Sequence, residues 1–174
     1  MAALPLAELP RTGWLQVGLP PGVPPEMIAS HASLVAQLVL RLGPHVAPSQ
    51  PPFDTYRAAA IATAHDAAEA RLGDLPKDAA NALPAGAKSA AEASIECSFF
   101  PELADLCAEY RAQNTPEGRF VKLCDKLQMG LFALRLARAG HRGLDGFRAT
   151  IRNLDGTEFP VLDGLAAALV AEFD

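Results

Sequence analysis

No stretch of this chain alternates apolar and polar residues as a half-buried strand requires. Its apolar residues recur instead every three or four positions, between prolines and glycines. That pattern predicts an all-α fold, a single-domain helical bundle. From Glu26 to about Leu42 the positions Ile28, Leu34, Val35, Leu38 and Leu42 share one helical stripe, behind Pro24 and Pro25 and ahead of Gly43-Pro44. A second helix is predicted from Phe53 or Asp54 to about Leu72, with Asp54 a plausible N-cap and Gly73 the terminator. The alanine-rich stretch from Lys77 to Ser98 is interrupted at Pro84 and Gly86 and should form two short helices, with another from Pro101 to about Gln113. Asn114-Thr115-Pro116-Glu117 reads as a cap, a proline at the first helical position and an acid in the first turn, opening a long helix that runs to Ala139. Segments 144–153 and 159–173 complete the set, and residues 1–23 read as a loose, proline-punctuated opening.

Composition agrees with closely packed helices. Half of the 174 residues are apolar but only 6% are aromatic, so alanine, which loses no side-chain entropy in a helix, carries much of the bulk. The length suits one domain, residues 1–174. A net charge of −5 argues against nucleic acid as a partner, because phosphate-backbone contacts need clustered Lys and Arg. No apolar run reaches the roughly 18 residues of a membrane span, and no basic-then-apolar leader opens the chain, so no membrane partner is expected. Cys97, Cys107 and Cys124, without a CxxC, read as free thiols in a reducing compartment, and the cytoplasm is the expected location.

The ionisable residues inside this apolar pattern carry the chemistry. His65 and Asp66 stand in the middle of the second predicted helix among Ala60, Ile61, Ala64, Ala67 and Ala68, and Glu69 follows one turn after His65. Burying such groups without partners is costly. Asp125 has Val121, Met129 and Phe132 at −4, +4 and +7, which places it on the apolar stripe of the long helix, and His31 lies on the stripe of the first. Convergence on a cation explains all four positions at once. Two imidazoles and two carboxylates suit Zn, Mn, Co, Fe or Ni rather than an all-oxygen calcium site, and Mg completes the set of divalent ions to test. Lys122 and Lys126 flank Asp125 and could pair with it, but they read first as solvated residues and only second as phosphate contacts.

The order His, then His-Asp, then a distant Asp resembles the HD-domain metal-dependent phosphohydrolases, and most closely their 5′-deoxynucleotidase-like branch. The shared features are Arg11-Thr12-Gly13-Trp14, Pro25-Glu26 ahead of His31, the run His65-Asp66-x-x-Glu69-x-x-x-Gly73-Asp74, and Thr115-Pro116-Glu117 followed by Phe120-Val121-Lys122 and Asp125-Lys126…Met129. The resemblance spans about Leu9 to Ala139; residues 77–98 match little and would shape a base pocket. It implies hydrolysis of a phosphomonoester, with a (deoxy)nucleoside 5′-monophosphate as leading substrate. His31, His65, Asp66 and Asp125 would hold the divalent ion, and Glu69 and Asp74 would be the catalytic acids. Arg11 would meet the phosphate, and Trp14 would either pack against the sugar or anchor the opening segment to the core. The branch commonly forms homodimers, for which the stripe Leu162, Leu165, Leu169 and Phe173 within the apolar C-terminal segment offers a surface, unless that stripe closes the core of its own chain. Two other readings of the same motif are a di-iron oxygenase, for which only His45 and His141 remain as extra histidines, and an inactive binding module.

Overall fold

The computed structural model describes residues 4–46 and 52–173. Among them the regular structure is helical, apart from one isolated antiparallel bridge between Pro10 and Met27. After a 3₁₀ turn at Leu4–Ala7 come α1 (Thr12–Gln16), α2 (Ile28–Leu42), α3 (Thr55–Ala64), α4 (Glu69–Leu72) and α5 (Lys77–Ala82). Then follow α6 (Ala87–Phe99), α7 (Ala104–Ala112), α8 (Pro116–Arg138), α9 (Asp145–Arg152) and α10 (Pro160–Phe173). None of these helices is long and apolar enough to cross a membrane.

Two caps form as their residue types require. Asp54 accepts from the N–H groups of Tyr56 and Arg57 at 2.9 and 3.0 Å, and Thr115 Oγ1 accepts from Gly118 N at 3.1 Å. The buried faces of α2 and α8 meet α3 at the centre, where Val35, Val39, Ile61, Phe120, Val121 and Leu136 are fully buried. Of the stripe predicted for α2, Ile28 and Val35 are buried, but Leu34 is exposed and Val39 takes its place in the core. Fully burying side chains of this kind stabilises by about 1.5–3 kcal/mol apiece.

Two expectations need correction, and a third is decided between its alternatives. The second predicted helix does not run unbroken to Leu72. It ends at Ala64, and residues 65–68 form turns with hydrogen bonds three residues apart: Ala67 N to Ala64 O at 2.9 Å, Glu69 N to Asp66 O at 3.0 Å and Ala70 N to Ala67 O at 3.2 Å. Side chains claim the carbonyls the α-helical ladder would use. His65 Nδ1 lies 2.7 Å from the Ala62 oxygen, and the Cys107 thiol donates to the Ala64 oxygen at 3.2 Å. Gly73 then turns the chain at φ 77°, a conformation glycine adopts without strain.

The opening segment is not loose. Arg11 N donates to Glu26 O and Ile28 N to Leu9 O, so the segment is strapped across the start of α2. Trp14 is 1% exposed, stacked 4.1 Å from Phe147 and tilted 4.8 Å from Phe132. Sequence spacing cannot reveal this, because both partners lie more than a hundred residues away.

The stripe on α10 is spent inside the chain. Leu162, Leu169 and Phe173 are buried, and Leu165 alone of the four is exposed. Gly130 makes room for Leu169 and for Ile151 of α9: a Cβ there would stand 2.6 Å from Leu169 Cδ2 and 2.8 Å from Ile151 Cδ1. The stripe therefore serves mainly to close the core, with Leu165 left at the surface.

Candidate metal centre

The break after α3 delivers the adjacent pair His65-Asp66 to the crossing of α2 and α8, which supply His31 and Asp125. One ligand atom each from His31, His65 and Asp125 falls within 4.8 Å of the others. The two imidazole rings meet edge-on at 5.4 Å. An Asp125 oxygen lies 3.1 Å from His31 Nε2, and Asp66 Oδ2 lies 3.2 Å from His65 Nε2 and 3.9 Å from His31 Nε2. The four residues singled out in the sequence are thus brought together.

The chemistry of these donors fits a divalent cation. Both Nε2 atoms are buried and have no hydrogen-bond partner of acceptable geometry, which is a costly arrangement unless another group takes their lone pairs. Both Nδ1 atoms are engaged, His65 with the Ala62 carbonyl and His31 with Gln128 Oε1 at 2.5 Å, so each ring is oriented as metal-bound imidazoles usually are. Burial opposes the charge on Asp66, but His65, Arg11 and His31 outweigh it and hold that carboxyl well below the usual range. Burial likewise opposes charge on Asp125, and His31 and Lys122 overcome it. Both carboxylates are ionised and ready to ligate.

A cavity of about 500 Å³ opens over this cluster. That volume falls in the range of small-molecule sites. Arg11 reaches into it, its guanidinium 3.5 Å from Asp66 Oδ2 and 3.9 Å from Glu26 Oε2. Glu69 sits in the same wall, buried, with Oε2 unpartnered. Burial, and then the charges of Asp66 and Asp74, push its carboxyl up to about 9. Asp74 also borders the cavity, but its Oδ2 accepts from the backbone N–H of Thr12 and lies 2.7 Å from Thr12 Oγ1. It ties α1 to the loop after α4. Trp14 lies behind the cavity, its indole N–H donating to Glu26 Oε2 at 3.0 Å.

Sequence reasoning missed several residues here. Tyr110 donates to Asp125 Oδ2 at 2.6 Å and packs its ring 4.9 Å from that of His65. Lys122, read as solvated, donates to Tyr110 Oη at 2.7 Å and stands 3.3 Å from Asp125 Oδ2, inside the cavity wall. Lys126 lies away from it, beside Leu123 and Glu158. Arg111 also lines the cavity, paired at 2.5 Å with Glu96, which is buried in α6. The spacing 122/125 on α8 was the one available signal; the others depend on how α6 and α7 pack.

Comparison with known proteins settles the family. The HD domain family matches residues 5–150. This chain belongs to the HD-domain family. Its HD core is 31% identical over 134 residues to 5′-deoxynucleotidase hdd1 of Schizosaccharomyces pombe, covering 71% of this chain and 63% of that relative's length. The fold is shared with two solved structures of Pyrococcus proteins. The PH0347 protein of Pyrococcus horikoshii OT3 superposes with a TM-score of 0.84 at 30% identity, over 98% of this chain and 96% of that one. A conserved hypothetical protein of Pyrococcus furiosus gives 0.82 at 31%, over 97% and 95%.

Proposed function

We propose that this HD-domain protein is a metal-dependent phosphomonoester hydrolase that converts (deoxy)nucleoside 5′-monophosphates to nucleoside and phosphate. The observation that carries the reading is the pair of buried, unpartnered Nε2 atoms of His31 and His65, facing Asp66 and Asp125 on the floor of a cavity of about 500 Å³. The likeness to a named 5′-deoxynucleotidase supports the substrate class. When bound, a divalent ion would supply a nucleophilic water at neutral pH and draw charge from the phosphoryl oxygens.

The chain's own residues do the rest. Arg11 stays fully charged: burial works against it, but Asp66, Asp125, Glu69 and Glu26 hold its proton more strongly. It meets the phosphate dianion from the α1 side of the cavity, and Lys122 meets it from the α8 side. Glu69, protonated at neutral pH in the metal-free site, faces the cavity as proton carrier. As the P–O bond to the sugar breaks, it delivers a proton to the departing 5′-oxygen, and it recovers one from the attacking water. Asp74 acts through Thr12, holding Arg11 in place, and Trp14 does so from the core side.

Phosphate release from all eight common nucleoside monophosphates, with Mn, Co, Mg or Zn added to metal-stripped protein, tests the reading. Metal-dependent release from one or more of them is expected, and no release from any under every metal overturns it.

A further inference from the structure

One line of hydrogen bonds runs from the opening segment to a metal ligand through groups the chemistry above does not use. Trp14 Nε1 donates to Glu26 Oε2 at 3.0 Å, Gln128 Nε2 donates to Glu26 Oε1 at 2.5 Å, and Gln128 Oε1 lies 2.5 Å from His31 Nδ1. All four side chains are buried, at 1%, 4%, 3% and 0% exposure in that order, so water cannot replace any link. The direction of the line follows from its ends. An indole N–H can only donate and a carboxylate only accept, so Glu26 takes the amide N–H of Gln128, and the amide oxygen is left for the imidazole. A neutral imidazole that donates from Nδ1 keeps its lone pair on Nε2, the atom aimed at His65 and Asp125.

From these contacts we infer that Glu26 and Gln128 are positioning residues that set the polarity of His31, so that its Nε2 is offered to the ion as an electron pair rather than an N–H. This rests on the reading that His31 is a ligand. The other histidine needs no such device. His65 donates to the Ala62 backbone carbonyl, which cannot act as a donor, so its tautomer is fixed by the main chain. His31 depends on an amide that can rotate by half a turn, and only the acceptor at position 26 forbids the rotation. Glu26 Oε2 also lies 3.9 Å from Arg11 Nε, so the same carboxylate that orients the ligand steadies the cavity's half-buried cation.

The polarity argument makes a demand that packing alone does not. In Glu26→Gln the amide at 26 can donate to Gln128, turning its N–H toward His31 and moving the ring proton to Nε2. Metal affinity of the stripped protein, measured by chelator competition, should fall by about 10–100-fold, the usual effect of losing a group that orients a ligand. Adding Gln128→Glu restores the original direction: the amide at 26 accepts from Trp14 and donates to the carboxylate at 128, which accepts from His31. The double variant should therefore bind metal better than the single one.

Nitrogen-15 chemical shifts of His31 in the stripped wild-type protein, read at a pH where the ring is neutral, should report the Nδ1–H form, a readout that needs no variant to fold. An Nε2–H form there overturns the inference. So does wild-type affinity in a folded Glu26→Gln protein, or a folded double variant no better than the single one. Failure of the wild-type protein to bind any divalent ion instead removes the metal reading on which the inference rests.

Discussion

The two walls of the cavity are built differently. On one side α8 buries Phe120, Val121, Cys124, Leu127 and Leu136 along its length and carries Asp125 and Gln128 on the same face, packed against α2 with His31. On the other, α5 buries no residue and α6 buries only Glu96, although Lys77, Asn81, Lys88 and Ser89 from this region line the cavity. A side chain held on all sides by close packing keeps its position to a fraction of an ångström, which a metal site requires. A wall with few buried contacts can change its residues at little cost to folding. The division teaches where each property would reside under the proposed function: the chemistry with the packed wall, and the shape of the substrate's outer half with the loose one.

The largest effect that can break this comparison lies at the ligands. His65→Ala should abolish metal binding and turnover together while leaving most of the helical circular dichroism, because α3 ends before it. Full hydrolysis by a metal-free His65→Ala protein would contradict the assignment. Next comes Glu69→Gln, expected to keep its metal and lose about 10²–10⁴ in turnover. Lost metal would make Glu69 a ligand support, and unchanged turnover would shift the proton role to Asp74.

The same variant carries a pH signature in stripped protein. Glu69 titrates near 9 in the fold against an ordinary 4.5, so the folded state holds the proton longer than the unfolded one. Its contribution to stability is present below pH 4.5 and is lost as pH rises toward 9. Melting temperatures of stripped wild-type protein should therefore fall more steeply over that interval than those of Glu69→Gln, and parallel curves would refute the shift.

Smaller effects sharpen the contrast between the walls themselves. A Cβ on Gly118 of α8 would lie 2.8 Å from the Glu109 carbonyl, a backbone atom with little room to move. Gly118→Ala should cost about 1–3 kcal/mol by denaturant unfolding, outweighing the gain in helix propensity. Ala90→Ser, at an exposed position of α6, should stay within about 0.5 kcal/mol of wild type. Equal losses at both positions would erase the distinction.

The packed wall was also the legible one. Apolar residues at −4 and +7 from Asp125 announced its burial, and Thr115-Pro116 announced where α8 begins, because both signals are local. The break at 65–68 was not legible, since an alanine-rich segment favours a continuous helix and the carbonyl claimed by Cys107 lies 43 residues away. Glu26 could be seen beside Pro25 but not its purpose, and Gln128 not at all: a buried amide shows its meaning only through what stands at each end of it. The contacts of α6 left least trace, because a helix that buries a single side chain has no stripe to read.

Trp14 is the sole tryptophan of the chain, and it sits in a dry cage of phenylalanines at the start of the bonds that end on His31. The fold has thus placed its one strong fluorophore where the opening segment meets the metal site. Its light should be blue-shifted, as befits an indole shielded from water, and should redden when the strap over α2 comes away. Emission followed while a divalent ion is added to the stripped protein would show, without a label, whether that line of bonds carries a change at His31 back to the opening segment.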